Sequence, residues 1–446
     1  MSEPKKPASP KEARHVERLR HGSRAQRDVN PKRAAPLRKA VRPPPVLGSI
    51  GQAAASDEPA VLLDRRAVER LDQGHLWIYR SDIAAPETVA GGEVVRLVDQ
   101  RGWFVGKAFY GANSQIAVRL LTREEEPIDE PFFARRLAQA KALRDAAAPD
   151  PERKRAGRVV HGEADLLPGL IVDRYADCLV VQTLIEATDA RRDLFARLLE
   201  DLYAPRAIVE RNDVKVRAHE GLPQRKGLLR GELPGPVEFF EGEVRLQADL
   251  LEGQKTGAFL DQAENRIEAG RYARGRALDC FSYGGAFALH LARRAEQVIA
   301  VDLSEHAAAL GRAAAARNGA GNIEFVVGNA FDFLHEQAAE TKQYATIVLD
   351  PPAFAKNKAS VPAALRGYKE INLRAFQLLE KGGTLITCSC SFHIDDATFE
   401  RTVLSAASDA RRSVQVIERR GAARDHPSLL GVPESRYLKC LVLRVL

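Results

Sequence analysis

The stretch ALDCFSYGGAFALHLA, at residues 277–292, decides how the second half of the chain is interpreted. A short apolar run ends in Asp279, a turn of small residues follows, and an Ala/Leu-rich segment typical of a helix begins. In nucleotide-binding sheets this order creates a pocket, because backbone N–H groups and the helix N-terminus face the ligand. The turn lacks the three-glycine fingerprint of dinucleotide sites, since Phe281 and Tyr283 stand at its first two positions. The stretch therefore predicts either a cofactor pocket or an ordinary β–α turn.

The segments around this turn favour the pocket. From residue 248 onward, apolar runs alternate with helical segments, which predicts a doubly wound parallel sheet of the α/β class. The apolar runs end at Asp279, Asp302, about Gly328, Asp350 and about Ser391. Ligands of such sheets bind beyond the carboxyl ends of the strands, which is where the three aspartates fall.

Three acids at three strand ends suit a ligand that carries hydroxyls, an amine and a positive centre. S-adenosylmethionine has these groups, and Asp302 suits its ribose while the turn at Asp279 suits its aminocarboxypropyl arm. A dinucleotide needs a closer approach of backbone to pyrophosphate than this turn offers. The pattern therefore disfavours a nicotinamide oxidoreductase.

Two further motifs carry groups that can act on a substrate. Asp350 opens DPPAF, in which two prolines remove backbone donors and leave carbonyls and the carboxylate facing outward. The next apolar run ends in TCSCS, where strand alternation places Cys388 and Cys390 on one face. A thiol needs help from a neighbour to become a nucleophile, so the cysteines are either small buried residues or, beside a methyl donor, a nucleophile at Cys390.

These motifs resemble a known family, the bacterial large-ribosomal-subunit cytosine-5 methyltransferases of the methyltransferase I type. The matching motifs are GQKTGAFLDQ at 253–262 with Asn265 and Arg266, DCFSYGG at 279–285, DPPAF at 350–354, RGYKEIN at 366–372, TCSCS at 387–391 and YLK at 437–439. Upstream, GEADLLPGLIVDRY at 162–175 is similar to the family's central module, and residues 60–125 are similar to its PUA RNA-binding domain.

The resemblance implies a class I methyltransferase domain with a Rossmann-like seven-stranded sheet, preceded by a small β-barrel PUA domain and a central α+β domain. It implies methyl transfer from S-adenosylmethionine to C5 of a cytosine in large-subunit rRNA. The cofactor-binding residues carried over by position are Lys255, Thr256, Gly257, Phe259, Asp261, Gln262, Asp279, Phe281, Ser282, Gly284, Gly285, Asp302, Leu303, Ser304, Asn329, Ala330 and Phe331. Many relatives have aspartate where this chain has Asn329, whose amide adds no charge to the contact with adenine.

The catalytic roles follow from the electronics of the base. C5 of cytosine is a poor nucleophile, and attack of the Cys390 thiolate at C6 would make C5 reactive. Asp350 would hydrogen-bond the N3 edge and stabilise the charge that develops in the ring. The helix that follows offers Arg366, Tyr368 and Lys369 as RNA-binding residues, unless they form a solvated helix face.

Composition predicts a disordered basic tail at 1–58, and the resemblance implies three further parts: a PUA domain with a helical connector at 59–148, a central domain at 149–250 and the methyltransferase domain at 251–446. Residues 1–50 contain five lysines and eight arginines against four acidic residues, with few large apolar ones. Such a segment cannot bury enough surface to fold, and it is either a solubilising tail or an arm that binds polyanions. Short β-runs after residue 59 predict a small barrel with Trp77 and Trp103 in its core.

The remaining features limit the classes to which the protein can belong. The chain has 45% hydrophobic and 28% charged residues, and its five cysteines show neither a disulfide framework nor a zinc spacing. With no apolar run long enough to span a bilayer, we expect a cytoplasmic enzyme without membrane contact or metal. The sequence leaves open whether the protein forms a homodimer. Two alternatives remain, an amino methyltransferase acting on guanine N2 or adenine N6, and a non-catalytic RNA-binding or ribosome-assembly factor with a methyltransferase fold.

Overall fold

A computed structural model describes residues 58–84, 89–147 and 154–446. Apart from residue 58, the predicted basic tail lies outside the described residues. The described ranges contain three sheets of five to seven strands and one two-stranded hairpin. No helix within these ranges is both long and apolar enough to cross a membrane.

The first sheet has six strands in the order β2-β6-β5-β4-β1-β3. Its strands are β1 (Ala60–Leu63), β2 (Trp77–Ile78), β3 (Ile83–Ala84), β4 (Val94–Val98), β5 (Phe104–Tyr110) and β6 (Val118–Thr122), and its helices are α1 (Arg65–Asp72) and α2 (Glu130–Ala147). The prediction that both tryptophans are core residues is wrong for Trp103, which is 47% exposed because it lies in the turn before β5. Trp77 is half-buried and its indole N–H donates to Glu163 at 3.0 Å.

The second sheet has five strands in the order β11-β10-β9-β8-β7. Its strands are β7 (Ala156–His161), β8 (Leu170–Tyr175), β9 (Cys178–Thr183), β10 (Ala207–Asn212) and β11 (Arg225–Gly231), with helices α3 (Glu186–Ala190) and α4 (Arg192–Tyr203). The connector α2 joins this sheet to the first, because the ring of Phe133 lies 6.1 Å from that of Phe109 and 5.3 Å from that of Phe195. A hairpin of β12 (Val237–Glu241) and β13 (Val244–Ala248) comes next along the chain.

The third sheet has seven strands in the order β16-β15-β14-β17-β18-β20-β19. Its strands are β14 (Arg276–Cys280), β15 (Gln297–Asp302), β16 (Ile323–Val327), β17 (Tyr344–Leu349), β18 (Leu379–Ser389), β19 (Val414–Arg420) and β20 (Lys439–Val445). The helices between them are α5 (Ala263–Tyr272), α6 (Ala286–Ala292), α7 (Glu305–Arg317), α8 (Ala330–Ala339), α9 (Val361–Leu378) and α10 (Asp396–Asp409). The strands run parallel except β20, which is antiparallel to both β18 and β19. The predicted alternation of strands and helices is therefore confirmed, and the strand order reverses at β14, where such sheets bind ligands.

A buried charge cluster joins the hairpin to the third sheet. Arg266 on α5 donates two hydrogen bonds to Glu241 at 2.7 and 2.5 Å, and the ring of His290 on α6 lies 3.0 Å from the same carboxylate. All three side chains are buried. Burial raises the pKa of Glu241, but the guanidinium of Arg266 outweighs it and holds the pKa at about 2. The pair therefore contributes stability that is present above the ordinary pKa of 4.5 and is lost as the pH falls toward 2.

We expect Arg266→Met to lower the free energy of unfolding by about 3–5 kcal/mol at pH 7, because it leaves Glu241 buried without a counter-charge. The double variant Glu241→Met with Arg266→Met removes both charges and should lose less than the single variant. Urea denaturation measures both. A double variant that is less stable than Arg266→Met would contradict the assignment.

Candidate active site

The carboxyl ends of neighbouring strands bring three aspartates to one edge of the third sheet. Asp279 lies in register with Ala300 of β15 and Val348 of β17, so that Asp302 and Asp350 follow just beyond it on either side. Asp279 is completely buried. Burial raises its pKa well above the usual range, and the negative charges of Asp350 and Asp302 add to this. The edge is therefore strongly electronegative and suited to a ligand with a positive centre.

The turn after β14 has the left-handed backbone of a glycine loop, although Phe281 and Tyr283 stand where its first two glycines would be. Phe281 and Tyr283 have φ angles of 64° and 46°, a left-handed conformation that costs other residues about 1–3 kcal/mol each. Gly285, with φ of 74°, is required, because a Cβ there would lie 2.7 Å from the ring of Phe325. The N–H of Tyr283 donates to Asp302 at 2.8 Å, which binds the turn to the end of β15. Strain of this kind is typical of functional sites.

The turn has the polar groups that the aminocarboxypropyl arm of S-adenosylmethionine needs. One oxygen of Asp279 accepts the N–H of Ala288 in α6 at 2.9 Å. Among the described residues, its other oxygen and the hydroxyl of Ser282 are buried and lack a hydrogen-bond partner. Unpaired buried polar atoms are costly, so a ligand that donates to them gains a stabilisation that the protein alone leaves unmade. At Gly284 the nearest atom to an added Cβ is 3.9 Å away, which leaves room beside the turn.

The residues predicted for ribose and adenine follow β15 and β16. Asp302 accepts the N–H of Ser304 at 2.9 Å and stays partly exposed, while Leu303 is 74% exposed beside it. Asn329 caps α8, since its side-chain oxygen accepts the N–H of Phe331 at 2.9 Å. This cap explains why an amide serves at that position as well as an acid. Ala330 is buried beneath it.

The loop at 253–262 is held by groups outside the pocket. The hydroxyl of Thr256 donates to Asp173 at 2.6 Å, and a Cβ on Gly257 would lie 3.2 Å from the ring of Tyr175. Thr256 and Gly257 therefore pack against β8 and anchor the loop, and their predicted contact with S-adenosylmethionine stays a prediction. Asp261 likewise pairs with protein groups, accepting from Lys255 at 2.9 Å and from the hydroxyl of Tyr437 at 2.5 Å. Phe259 contacts the turn, with its ring 5.6 Å from that of Tyr283.

A chain of amides orients Asp350. The guanidinium of Arg420 can only donate, and its Nε donates to Oδ1 of Asn265 at 2.9 Å. Nδ2 of Asn265 must then face Oε1 of Gln262, which it meets at 2.6 Å. Nε2 of Gln262 in turn donates to Oδ1 of Asp350 at 2.7 Å, leaving Oδ2 for a ligand. Burial raises the pKa of Asp350 to about 6, against the opposing hydrogen bond from Gln262.

Exposure separates the two cysteines of TCSCS. Cys388 is fully buried in β18, opposite Cys440 of β20. Cys390 follows the end of the strand and stays partly exposed, with its Sγ 3.8 Å from the carbonyl oxygen of Pro351. Burial raises the pKa of the Cys390 thiol, and the charge of Asp350 raises it further. Cys390 is thus the accessible thiol, next to DPPAF.

Ser391 joins the two loops that carry Asp350 and Cys390. Its hydroxyl accepts the N–H of Ala355 at 3.1 Å and lies 3.0 Å from the hydroxyl of Tyr368. Its carbonyl accepts from Nζ of Lys439 at 2.7 Å, and burial lowers the pKa of that lysine to about 8. Sequence reasoning assigned no role to Ser391 or Lys439, although both stand in the motifs TCSCS and YLK.

The three predicted RNA-binding residues have different surroundings. Arg366 is exposed on α9. Tyr368 is fully buried, with its ring 4.7 Å from that of Phe354, so its predicted contact with RNA is wrong in this conformation. The helix turns that side chain toward the core, where it supports Ser391. Lys369 pairs with Asp409 of α10 at 2.7 Å, which holds it on the neighbouring helix. Within the described ranges, no group of three acidic, His or Cys side chains could hold a metal.

Comparisons with known proteins agree with this geometry. Residues 61–123 match a PUA-like domain, and residues 157–444 match an S-adenosylmethionine-dependent methyltransferase. Two similar proteins are named Ribosomal RNA large subunit methyltransferase I. The one from Tolumonas auensis is 41% identical over 397 residues, covering 86% of this chain and 99% of that protein. The one from Aeromonas hydrophila subsp. hydrophila is 42% identical over 385 residues, covering 83% and 95%.

A solved structure of a SAM-dependent methyltransferase from Streptococcus mutans is also similar. It has a TM-score of 0.73 at 21% identity and covers 87% of this chain and 100% of that chain. A methyltransferase solved in complex with SAH has a TM-score of 0.75, also at 21% identity, and covers 87% of this chain and 100% of that chain. At such identity these two structures show a common fold.

We expect Arg420→Met to raise the pKa of Asp350 from about 6 to roughly 7. Without the guanidinium, the amides of Asn265 and Gln262 can turn over and present an oxygen to the carboxylate, which favours its protonated form. Carbon NMR titration of aspartate carboxyl groups measures the change. The control is Arg419→Met, which removes only an exposed pair with Glu400. Equal pKa values in the two variants would contradict the relay.

Proposed function

Because the chain belongs to the S-adenosylmethionine-dependent methyltransferases, and among them to the ribosomal RNA large subunit methyltransferase I family, we propose that it methylates C5 of a cytosine in large-subunit rRNA through a covalent bond between Cys390 and C6. The observation that carries the proposal is the pairing of an accessible thiol with a carboxyl group of raised pKa on two adjoining loops. The two loops follow the ends of β17 and β18, and β17 pairs with β14, which the turn at 281–285 follows. The molecule has the α/β fold of class I methyltransferases, together with a PUA-like domain.

The first step activates the base. An electron pair of the Cys390 thiolate forms the bond to C6, and the electrons of the C5–C6 double bond move into the ring toward N3. Protonated Asp350 donates to N3 and stabilises that charge. Its pKa of about 6 keeps a part of the population protonated near neutral pH. Gln262 binds Oδ1, so the proton is carried on Oδ2.

The second step completes the transfer. S-adenosylmethionine, when bound, would supply an electrophilic methyl group. C5 forms the bond to that methyl with its enamine-like electron pair, and the electrons of the broken methyl–sulfur bond stay on the sulfur of the S-adenosylhomocysteine that leaves. A base then removes the C5 proton, the double bond returns, and the electrons of the S–C6 bond return to Cys390 as thiolate. Because C6 is shielded in a stacked helix, the target cytosine must be unpaired or flipped out.

The proposed site residues divide by the part of the ligand they serve. The strained turn at 281–285 and Asp279 would hold the aminocarboxypropyl arm, Asp302 the ribose, and 329–331 the adenine, while Phe259 and Gln262 would close the pocket from the loop above. Residues 149–250 would support this loop through Asp173. Residues 59–148 would bind RNA as a PUA barrel, and residues 251–446 would carry out the chemistry.

A second candidate is methyl transfer to an exocyclic amine. The carbonyl of Pro351, 3.8 Å from Sγ of Cys390, lies where such an amine could donate to it. This reaction needs no thiol, since the amine attacks the methyl group directly. The requirement for Cys390 therefore separates the two functions.

We expect Cys390→Ala to lower methylation of rRNA by about 10⁴-fold or more, the scale on which the loss of a nucleophile acts. RNA that contains 5-fluorocytidine should trap the wild-type chain as a covalent adduct, because fluorine at C5 cannot leave as a proton does. Cys388→Ala is the matched control and should still form the adduct. Full activity in Cys390→Ala would overturn the covalent mechanism and favour the amine.

The pH profile tests the role of Asp350. The reactive form needs a thiolate at Cys390 and a protonated Asp350, so kcat/KM should fall below about pH 6 and stay level from there until the thiol titrates. Asp350→Asn still offers an N–H to N3 but does not titrate. Its kcat/KM should be about 10²–10⁴-fold lower and rise steadily across the range where wild type is level. A bend near pH 6 that persists in Asp350→Asn would contradict this role.

A further inference from the structure

An exposed aromatic side chain stands beside the candidate nucleophile. All phenylalanine, tyrosine and tryptophan side chains of the chain lie in the described ranges, and two of them are exposed, Trp103 at 47% and Phe392 at 49%. Phe392 follows Cys390 by two residues, a span of at most about 7 Å between their Cα atoms. An aromatic ring exposed to water lacks the stabilisation that burial gives. The position of Phe392 beside Cys390 therefore suggests that a ligand covers the ring.

The backbone around Phe392 is held in place. Ser391, directly before it, is completely buried and bonded on three sides by Ala355, Tyr368 and Lys439. Directly after it, the ring of His393 lies 5.2 Å away at an angle of 75°. The backbone that carries the phenyl ring is therefore fixed by buried contacts on its N-terminal side, and about half of the side chain is open to solvent.

Three exposed positive side chains lie on the two segments that pack around Ser391. Lys356 and Lys358 are exposed on the loop that Ala355 ties to Ser391. Arg366 is exposed on α9, whose Gly367 packs closely on Phe354 of that loop. In the part of the chain that the structure describes, none of these three cations has an ion pair, in contrast to Lys369 on the same helix.

We propose that Phe392 is a stacking platform for the base next to the target cytosine in single-stranded RNA, and that Lys356, Lys358 and Arg366 contact the phosphates on either side. This inference rests on the proposed function and identifies residues that bind the RNA next to the target cytosine. Every base has a π-face that stacks on an aromatic ring, and cations along the strand neutralise its backbone. A cytosine turned into the site leaves its neighbour unstacked on one face, and the ring at the rim can cover that face.

The test uses the full chain and a short unstructured RNA that has one cytidine with 2-aminopurine beside it. We expect Phe392→Ala to weaken the binding of this RNA about ten- to a hundredfold and to abolish the quenching of 2-aminopurine fluorescence. Phe392→Trp should preserve both. Lys356→Gln and Lys358→Gln should each reduce the slope of log affinity against log salt by about 0.7 for every phosphate that the lysine neutralises. The matched control is Leu404→Ala, which removes another exposed apolar side chain, 63% exposed on α10, and should change nothing.

Binding of S-adenosylhomocysteine, measured by calorimetry in every variant, separates the outcomes. An unchanged donor affinity with weaker RNA binding in Phe392→Ala supports the platform. Wild-type RNA affinity and quenching in Phe392→Ala, while rRNA is still methylated, overturns the platform and leaves the proposed function standing. Failure of the wild-type chain to bind or methylate any large-subunit rRNA overturns the proposed function, and the platform with it.

Discussion

The desolvation of one carboxyl group, that of Asp279, is the constraint on which the site depends. The reversal of strand order at β14 gives this strand a neighbour on each side, and both neighbours end beside an acid. Three acids thus lie at one edge of the sheet, and Asp279, the completely buried one, has an oxygen without a hydrogen-bond partner among the described residues. A cationic ligand with an amine, as the proposed function requires, would relieve this cost. An unpaired buried oxygen would therefore favour ligands that donate a hydrogen bond to it over ligands that cannot.

The two groups proposed to react are supported by polar contacts with residues of other strands and loops. Asp350 is oriented by an amide relay that ends at Arg420, and Cys390 stands next to Ser391, which Lys439 anchors from β20. The loop above the pocket is fastened to the central sheet through Thr256. The antiparallel strand β20 and the edge strand β19 thus supply supporting residues, and the groups proposed to react follow β17 and β18.

The features that depend on local patterns could be predicted from the sequence. The strand ends and the accessible cysteine are set by apolar runs and by the residues directly after them, so the positions of Asp279, Asp302, Asp350 and Cys390 at one edge of the sheet could be predicted. The supports could not be predicted, because each joins positions far apart in the chain, as Arg420 does with Asn265 and Thr256 with Asp173. Tyr368 and Trp103 were misjudged for a related reason. Which side chains of a helix or turn are buried depends on the element that packs against it, and hydrophobicity alone does not identify that element.

The raised pKa of Cys390 has a consequence for the lifetime of the enzyme. At neutral pH its sulfur rests as a thiol, which reacts slowly with oxidants and with electrophiles. The same pocket must store a methyl sulfonium, to which a permanent thiolate within reach would be a competing acceptor. If the sulfur keeps its proton until the target cytosine binds, the cysteine would be protected from methylation by bound S-adenosylmethionine. Under the proposed function, the burial that makes the thiolate scarce would thus also protect Cys390 from methylation between turnovers.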